Sequence, residues 1–344
     1  MQDARRLKPR QRQGRLTLRL LCALALALAG FGEAWAADPC APATPATTWG
    51  QRVAAAACAE HRLWYAPFLD GAGRLASTTV SEAENSKLQD RTTPAWRRVV
   101  DYWKATGLLW SMGARPGANE CSTAAIDQWP GSAACRAFVV DTPWSAVFVS
   151  FAYVRAGVPG FAPSASHVDF VHQALRGDAA SPLRYADPDA EAPAVGDLLC
   201  FTRGLSAPMG APAFRAQLQR DGGALAMHCD VVVAADRASG ALYTVGGNVL
   251  QGVTMRTLRV NRSGALWGLP RKTSTPVDCR PGSDRACTFN RQDWVALLKL
   301  EPKAAPPAPA ATCCTLCPLP MPAGMTRCPA TAPTAPVVPP PTRP

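Results

Sequence analysis

Three residues far apart in the chain have the chemistry of an acyl-transfer site: Ser145, His228 and Asn248. Ser145 lies in "TPWSAVFVSFAYVRAG", residues 142–157, where Thr142 is the expected N-cap and Pro143 the first helical residue. Ser145 then falls in the first turn, where unpaired backbone N–H groups and the positive end of the helix dipole favour a developing negative charge. That environment suits a nucleophile whose attack creates an oxyanion, and it suits an ordinary serine near a helix start equally well. Trp144, Phe148, Phe151 and Ala152 occupy one side and Val147, Val149 and Val154 the others, so the helix reads as buried nearly all round.

His228 opens the segment "HCDVVVAADRASGALYTVGGNV", a β-hairpin by pattern with its turn in "DRASGA". A turn centred near Ala238 pairs residues whose numbers sum to about 476, which sets His228 opposite Asn248. An amide oxygen there accepts one imidazole N–H, fixes the tautomer and leaves the other nitrogen as a base. A one-residue slip would carry Asn248 to the other face. Asp230 shares a face with His228, whereas Cys229 points away. Trp144, His167, Asp197 and Asp230 complete the set of cleft candidates, Asp197 also reading as a turn residue before a strand. His167 and His172 are five apart, not the three or four that put two ligands on one helix face, and HExxH is absent. Neither a metal nor a cofactor is expected, since there is also no Gly-rich phosphate loop and "VGGN" reads as a strand-end turn.

The elements that must carry these groups follow in a simple order. Residues 1–36 read as a signal peptide: basic residues, then "LLCALALALAGF", then "AWA". Residues 40–136 read as a helical N-terminal part, in which Trp96, Val99, Val100 and Trp103 form one stripe and His61 is an ordinary helix residue. Residues 137–300 hold the central helix, the short helix "SASHVDFVHQAL" and strand-like runs "GDLLCF", "HCDVVVAAD", "ALYTVGGNV", "VTMRTLRV" and "WVALLKL". Helices first and an antiparallel meander afterwards predict an α+β fold. Residues 301–344 are rich in Pro, Ala and Cys and read as a disordered tail.

Loss of the signal segment removes seven basic and two acidic residues, which lowers the formal charge from +11 to +6. No dense Lys/Arg block is left, which argues against a nucleic-acid partner, and no later segment is long and apolar enough for a transmembrane span. Of the 13 cysteines, Cys22 lies in the signal segment. The even number that follows points to disulfides in an oxidising, exported setting, periplasmic or secreted. Local pairs such as Cys40–Cys58, Cys121–Cys135 and Cys279–Cys287 are compatible with the spacing; "CCTLC" with Cys328 fits disulfides better than zinc.

With these residues in hand, the chain resembles two groups of proteins. "WSAVFVSFAYVRAG" followed by "GDLLCF", "HCDVVVA" and "VGGNV" resembles the papain-like NlpC-type and CHAP-type cell-wall hydrolases. The stretch from "RLWYAPFLDG" through "SEAENSKL" and "AWRRVVDYWKATG" to "VGGNV" looks like the bacterial domain of unknown function 2272. The resemblance implies a papain-like α+β core, with a buried central helix packed on an antiparallel sheet. It puts Ser145 in the nucleophile's place, His228 in the base's and Asn248 in the orienting residue's. Serine stands where those hydrolases carry cysteine, so no thiolate can form in advance and the base must take the hydroxyl proton during attack. Two functions follow as expectations: an exported hydrolase of amide or peptide bonds in peptidoglycan, or an inactive envelope module that binds cell-wall material or a partner protein.

Overall fold

The computed structural model describes residues 38–303 apart from 42–44, 178–180, 206, 222–224, 276 and 285–286, together with 313–314 and 326–327. The chain divides into two compact units, Met1–Ala41 and Pro42–Pro344. In the first, the described residues 38–41 form a turn in which Asp38 Oδ1 accepts the Cys40 N–H, and Cys40 is disulfide-bonded. The expected signal peptide and most of the expected tail lie outside the described residues. All that follows concerns the second unit.

Thr48 starts helix α1 (Trp49–Leu63) with a capping box, its hydroxyl accepting the Gln51 N–H while the Gln51 side chain accepts the Thr48 N–H. Helix α2 (Ala95–Ala105) buries Trp96, Val99, Val100 and Trp103, and Tyr102 with them. Two short helices, α3 (Ala118–Ser122) and α4 (Gly131–Asp141), lead to the central helix α5 (Ser145–Ala156). The start of α5 differs from the expectation. Thr142 caps the C-terminus of α4 with extended backbone, φ −118° and ψ 108°, as a residue before proline prefers. Trp144 is the N-cap and Ser145 the first helical residue. Thr142, Pro143 and Trp144 thus make a corner at which α4 and α5 meet at 97°.

Helices α6 (His167–Arg176) and α7 (Gly210–Asp221) flank the strands. The sheet comprises β1 (Phe68–Leu69), β2 (Leu183–Ala186), β3 (Leu198–Thr202), β4 (Met227–Asp236), β5 (Ala241–Val249), β6 (Gly252–Arg259) and β7 (Asp293–Leu300). Their order is β1-β6-β5-β4-β3-β7-β2, with every neighbouring pair antiparallel except β1–β6. The protein is therefore α+β, with β3 to β6 forming a meander interrupted only by α7. The four-residue strand β2 and helix α7 are additions to the sequence reading. Among the described side chains of α7 only Ala211, Phe214 and Leu218 are buried, a stripe too thin to stand out in sequence.

Helix α5 is enclosed. Helices α1 and α2 pack against it, as do strands β4 and β5, and α1 also reaches β4. The Tyr102 ring sits 4.9 Å from Phe151, 5.7 Å from Trp144 and 5.8 Å from Phe148, centre to centre. Its hydroxyl donates to Glu60 Oε2 at 2.7 Å and accepts Trp64 Nε1 at 2.9 Å, while Arg98 pairs with Glu60. A phenol, an indole, a guanidinium and a carboxylate satisfy one another inside the helical layer, as buried polar groups must. His61 is equally buried, its Nε2 lying 2.9 Å from the Pro67 carbonyl.

Disulfides join Cys121–Cys135, Cys200–Cys229 and Cys279–Cys287, and Cys58 is disulfide-bonded too; such bonds persist in oxidising surroundings. Cys200 and Cys229 are direct cross-strand partners in β3 and β4. Cys313–Cys314 pairs in parallel with Thr326–Arg327, while Cys317 and Cys328 lie outside the described residues. No single helix among the described residues is long and apolar enough to cross a membrane.

The sheet meets α5 at a glycine. A Cβ on Gly247 would lie 2.3 Å from Phe148 Cβ and 2.8 Å from Trp144 Cζ3. Gly247→Ala is expected to cost about 1–3 kcal/mol through overpacking. Urea unfolding of the purified protein reads this as a lower midpoint at unchanged slope, and an unchanged midpoint contradicts the close approach.

Candidate active site

The helix corner delivers Ser145 to the end of the sheet. Its Oγ lies 2.8 Å from Nε2 of His167, the first residue of α6. Both side chains are almost out of water, at 6% and 4% exposure. The His167 ring in turn sits 5.0 Å, centre to centre, from the ring of His228, the second residue of β4. His167 therefore links the serine to the strand histidine.

His228 takes its orientation from Asp230. Two residues apart on one strand, they share a face, and His228 Nε2 lies 2.7 Å from Asp230 Oδ1. Asp230 Oδ2 accepts Arg256 Nε at 3.1 Å from β6 and the Thr244 hydroxyl at 3.4 Å from β5. The Arg256 fork also donates to Asn290 Oδ1 and the Phe289 carbonyl. Burial pushes the Asp230 carboxyl up, but the charges and hydrogen bonds of His228 and Arg256 outweigh it and hold the group below the usual carboxylate range. An ionised carboxylate only accepts, so His228 carries a proton on Nε2, and in the neutral ring Nδ1 is the basic nitrogen.

His167 reads differently. Burial, then the neighbouring His228 and Arg203, outweigh the pull of Asp230 and hold its pKa well below 6.5, so the ring is neutral at pH 7. Its Nδ1 is buried without a hydrogen-bond partner. A bare lone pair is the less costly occupant of such a position than an N–H, which favours the tautomer with the proton on Nε2. In that form His167 donates to Ser145 Oγ, leaving the serine proton to be given elsewhere.

The structure separates the residues that pattern had paired. The hairpin register is as expected where Val231 faces Val245 and Val232 faces Thr244, but the ladder between β4 and β5 begins at Val231 and Val245. Beyond it β5 bulges between Gly246 and Val249, and Asn248 takes the left-handed conformation at φ +54°. No hydrogen bond joins Asn248 to His228 among the described residues; the cross-strand partner of His228 is Phe201 in β3. Asp230 does the orienting instead. Asn248 shares a cleft with His228.

"VGGN" is correspondingly more than a turn. A Cβ on Gly246 would lie 2.0 Å from Asp230 Oδ1 and 2.9 Å from His228 Nε2, so the missing side chain is what admits the charged pair. Trp144 is buried, stacked 5.8 Å from Trp64 and donating from Nε1 to Glu82 Oε2 at 2.6 Å. Asp197 ties the sheet, accepting the Ala194 N–H at 2.7 Å and the Leu300 N–H at 2.9 Å and pairing with Lys299. Neither residue takes part in the site. The sequence reading left out Arg256, although a charge at an inward position of "VTMRTLRV", alternating with Leu258, is a legible signal.

A cleft of about 470 Å³ opens beside this network, lined by Phe201, Arg203, His228, Asn248, Arg256 and Lys272 among others. Neither Ser145 nor His167 lines it. No group of three or more His, Cys, Asp or Glu suited to a metal ion occurs among the described residues.

The buried, neutral His167 makes stability depend on pH. In the unfolded chain its imidazole takes up a proton below about pH 6.5, while the folded ring does not until much lower. The group's contribution is complete above that value and declines on acidification by up to about 1.4 kcal/mol per pH unit. His167→Gln is expected to flatten the fall of Tm from pH 6.5 downward, and parallel Tm–pH curves for the two proteins contradict this.

The sequence profile of a family described as "Uncharacterized protein conserved in bacteria (DUF2272)" matches residues 90–300, more than half of the chain, and the chain belongs to that family. No match was found among curated proteins or among solved structures.

Proposed function

We propose that this member of the DUF2272 family is an exported hydrolase of amide or peptide bonds, with peptidoglycan as the substrate class. The observation that carries the reading is the run Ser145–His167–His228–Asp230. It joins a serine at the start of a buried helix to a histidine whose Nε2 is held by a buried carboxylate. A nucleophile at the start of a central helix and a histidine on a facing strand support the papain-like relationship. The disulfides support export.

In the reaction, Ser145 Oγ turns from His167 and attacks the carbonyl carbon while its proton passes to His228 Nδ1. The N–H groups of the first turn of α5 stabilise the oxyanion. His228 then protonates the departing amine, and the C–N bond breaks. Water then gives a proton to His228 and its oxygen to the acyl carbon, the acyl–Oγ bond breaks as His228 returns the proton to Ser145 Oγ, and the free acid leaves. Asp230 keeps the basic nitrogen of His228 unencumbered throughout. His167 holds Oγ by donating to it before the attack, and stays neutral.

One observation favours a second reading, an envelope module that binds without turnover: Ser145 is buried and does not line the cleft. Serine variants separate the two. With purified mature protein and solubilised peptidoglycan fragments, Ser145→Ala and His228→Gln are each expected to lower turnover by about 10³-fold or more. Unaltered release of fragments by Ser145→Ala rules out Ser145 as nucleophile. Activity found only in Ser145→Cys establishes the non-catalytic reading.

A further inference from the structure

The cleft beside His228 is basic. Arg203, Arg256, Lys272 and Arg291 line it, and no Asp or Glu does so among its described residues. Arg256 is spent on Asp230 and the carbonyls around it. Arg203 and Lys272 are not: neither forms an ion pair among the described residues, and Lys272 Nζ meets only the Leu205 carbonyl. Phe201 lies opposite His228 in the β3–β4 ladder, and the ladder runs on to the Arg203 N–H, which donates to the Ala226 carbonyl at 2.8 Å. Strand alternation then puts Arg203 on the face of Phe201 and His228, two residues or about 7 Å further along. Its charge already acts on His167. The cleft walls also include Leu69, Leu250 and Phe289, with Phe289 exposed.

We propose that this cleft takes an anionic acyl compound, a peptide whose free carboxylate is held by Arg203 and Lys272 one or two residues from the bond presented to His228. The assignment rests on the hydrolase reading for the reacting bond, while the carboxylate anchor stands on the cleft alone. A guanidinium fork and an ammonium supply directed donors to a carboxylate, and no acid among the described residues lines the cleft to compete for them. An apolar residue next to the carboxylate would rest on Phe289 and Leu250.

The test uses the full mature chain carrying Ser145→Ala, so that binding is read without turnover. The probes are a peptidoglycan stem tripeptide with its carboxylates free and the same peptide with them amidated, titrated calorimetrically. The free form is expected to bind about tenfold or more tightly, weakening as salt is raised. Adding Arg203→Gln or Lys272→Gln should remove most of that preference; Arg203 is exposed, so the fold is not at stake. Equal binding of the two peptides overturns the assignment, as does a preference that survives both substitutions. Displacement by inorganic phosphate but not by acetate overturns it too, since it marks a phosphate site. If the preference appears but the unmodified protein turns over neither peptide, the anchor stands and the hydrolase reading fails.

Discussion

One buried negative charge organises the sheet. A carboxylate as far out of water as Asp230 is tolerable only if its oxygens are fully engaged and its charge is met nearby. The partners come from three strands: His228 from β4 itself, Thr244 from β5 and Arg256 from β6. Arg256 must in turn be satisfied by Asn290 and the Phe289 carbonyl, which fixes the approach of the chain to β7. The orientation of His228 and the inward placement of Arg256 both answer to this one electrostatic requirement. Removing either charge would strand the other, which is why such pairs are more demanding than they are stabilising.

The second constraint is backbone proximity. Gly246 and Gly247 are consecutive, and added side chains would point to opposite faces of β5. One would strike the Asp230–His228 pair and the other Phe148 and Trp144 of the central helix. The pair of glycines thus lets a single strand lie against a charged network on one side and an aromatic layer on the other. His167 spans the end of this sandwich, bonded to Ser145 and in ring contact with His228. The candidate site is assembled at the place where two glycines remove the bulk that would have kept its halves apart.

Much of this was legible before any coordinates. The apolar ring around α5, the stripe on α2 and the short, nearly continuous apolar runs of β3 to β7 identify both the elements and the α+β class, since those strands are buried on both faces. The shared face of His228 and Asp230 is legible from strand alternation. What pattern missed has local causes. The corner at Pro143 moved the helix start by two residues, because the residue before a proline avoids helical backbone. The pairing of His228 with Asn248 assumed an unbroken ladder, and two glycines without side chains to hold register let β5 bulge away. The bond between Ser145 and His167 spans 22 residues and two helices, a tertiary relation that no periodicity encodes.

The cross-strand pair Cys200–Cys229 adds a further condition. Cys200 precedes Phe201 and Cys229 follows His228, so the bond fastens β3 to β4 within one residue of the strand pair that frames the cleft. Its sulfurs point to the opposite face from the imidazole, leaving the cleft unobstructed while the two backbones are tethered. In a reduced chain, backbone hydrogen bonds and the ring contact of Phe201 with His228 would hold those strands in step. The thiol–disulfide balance of the surroundings thus bears on how firmly the strand pair beside the cleft is tethered.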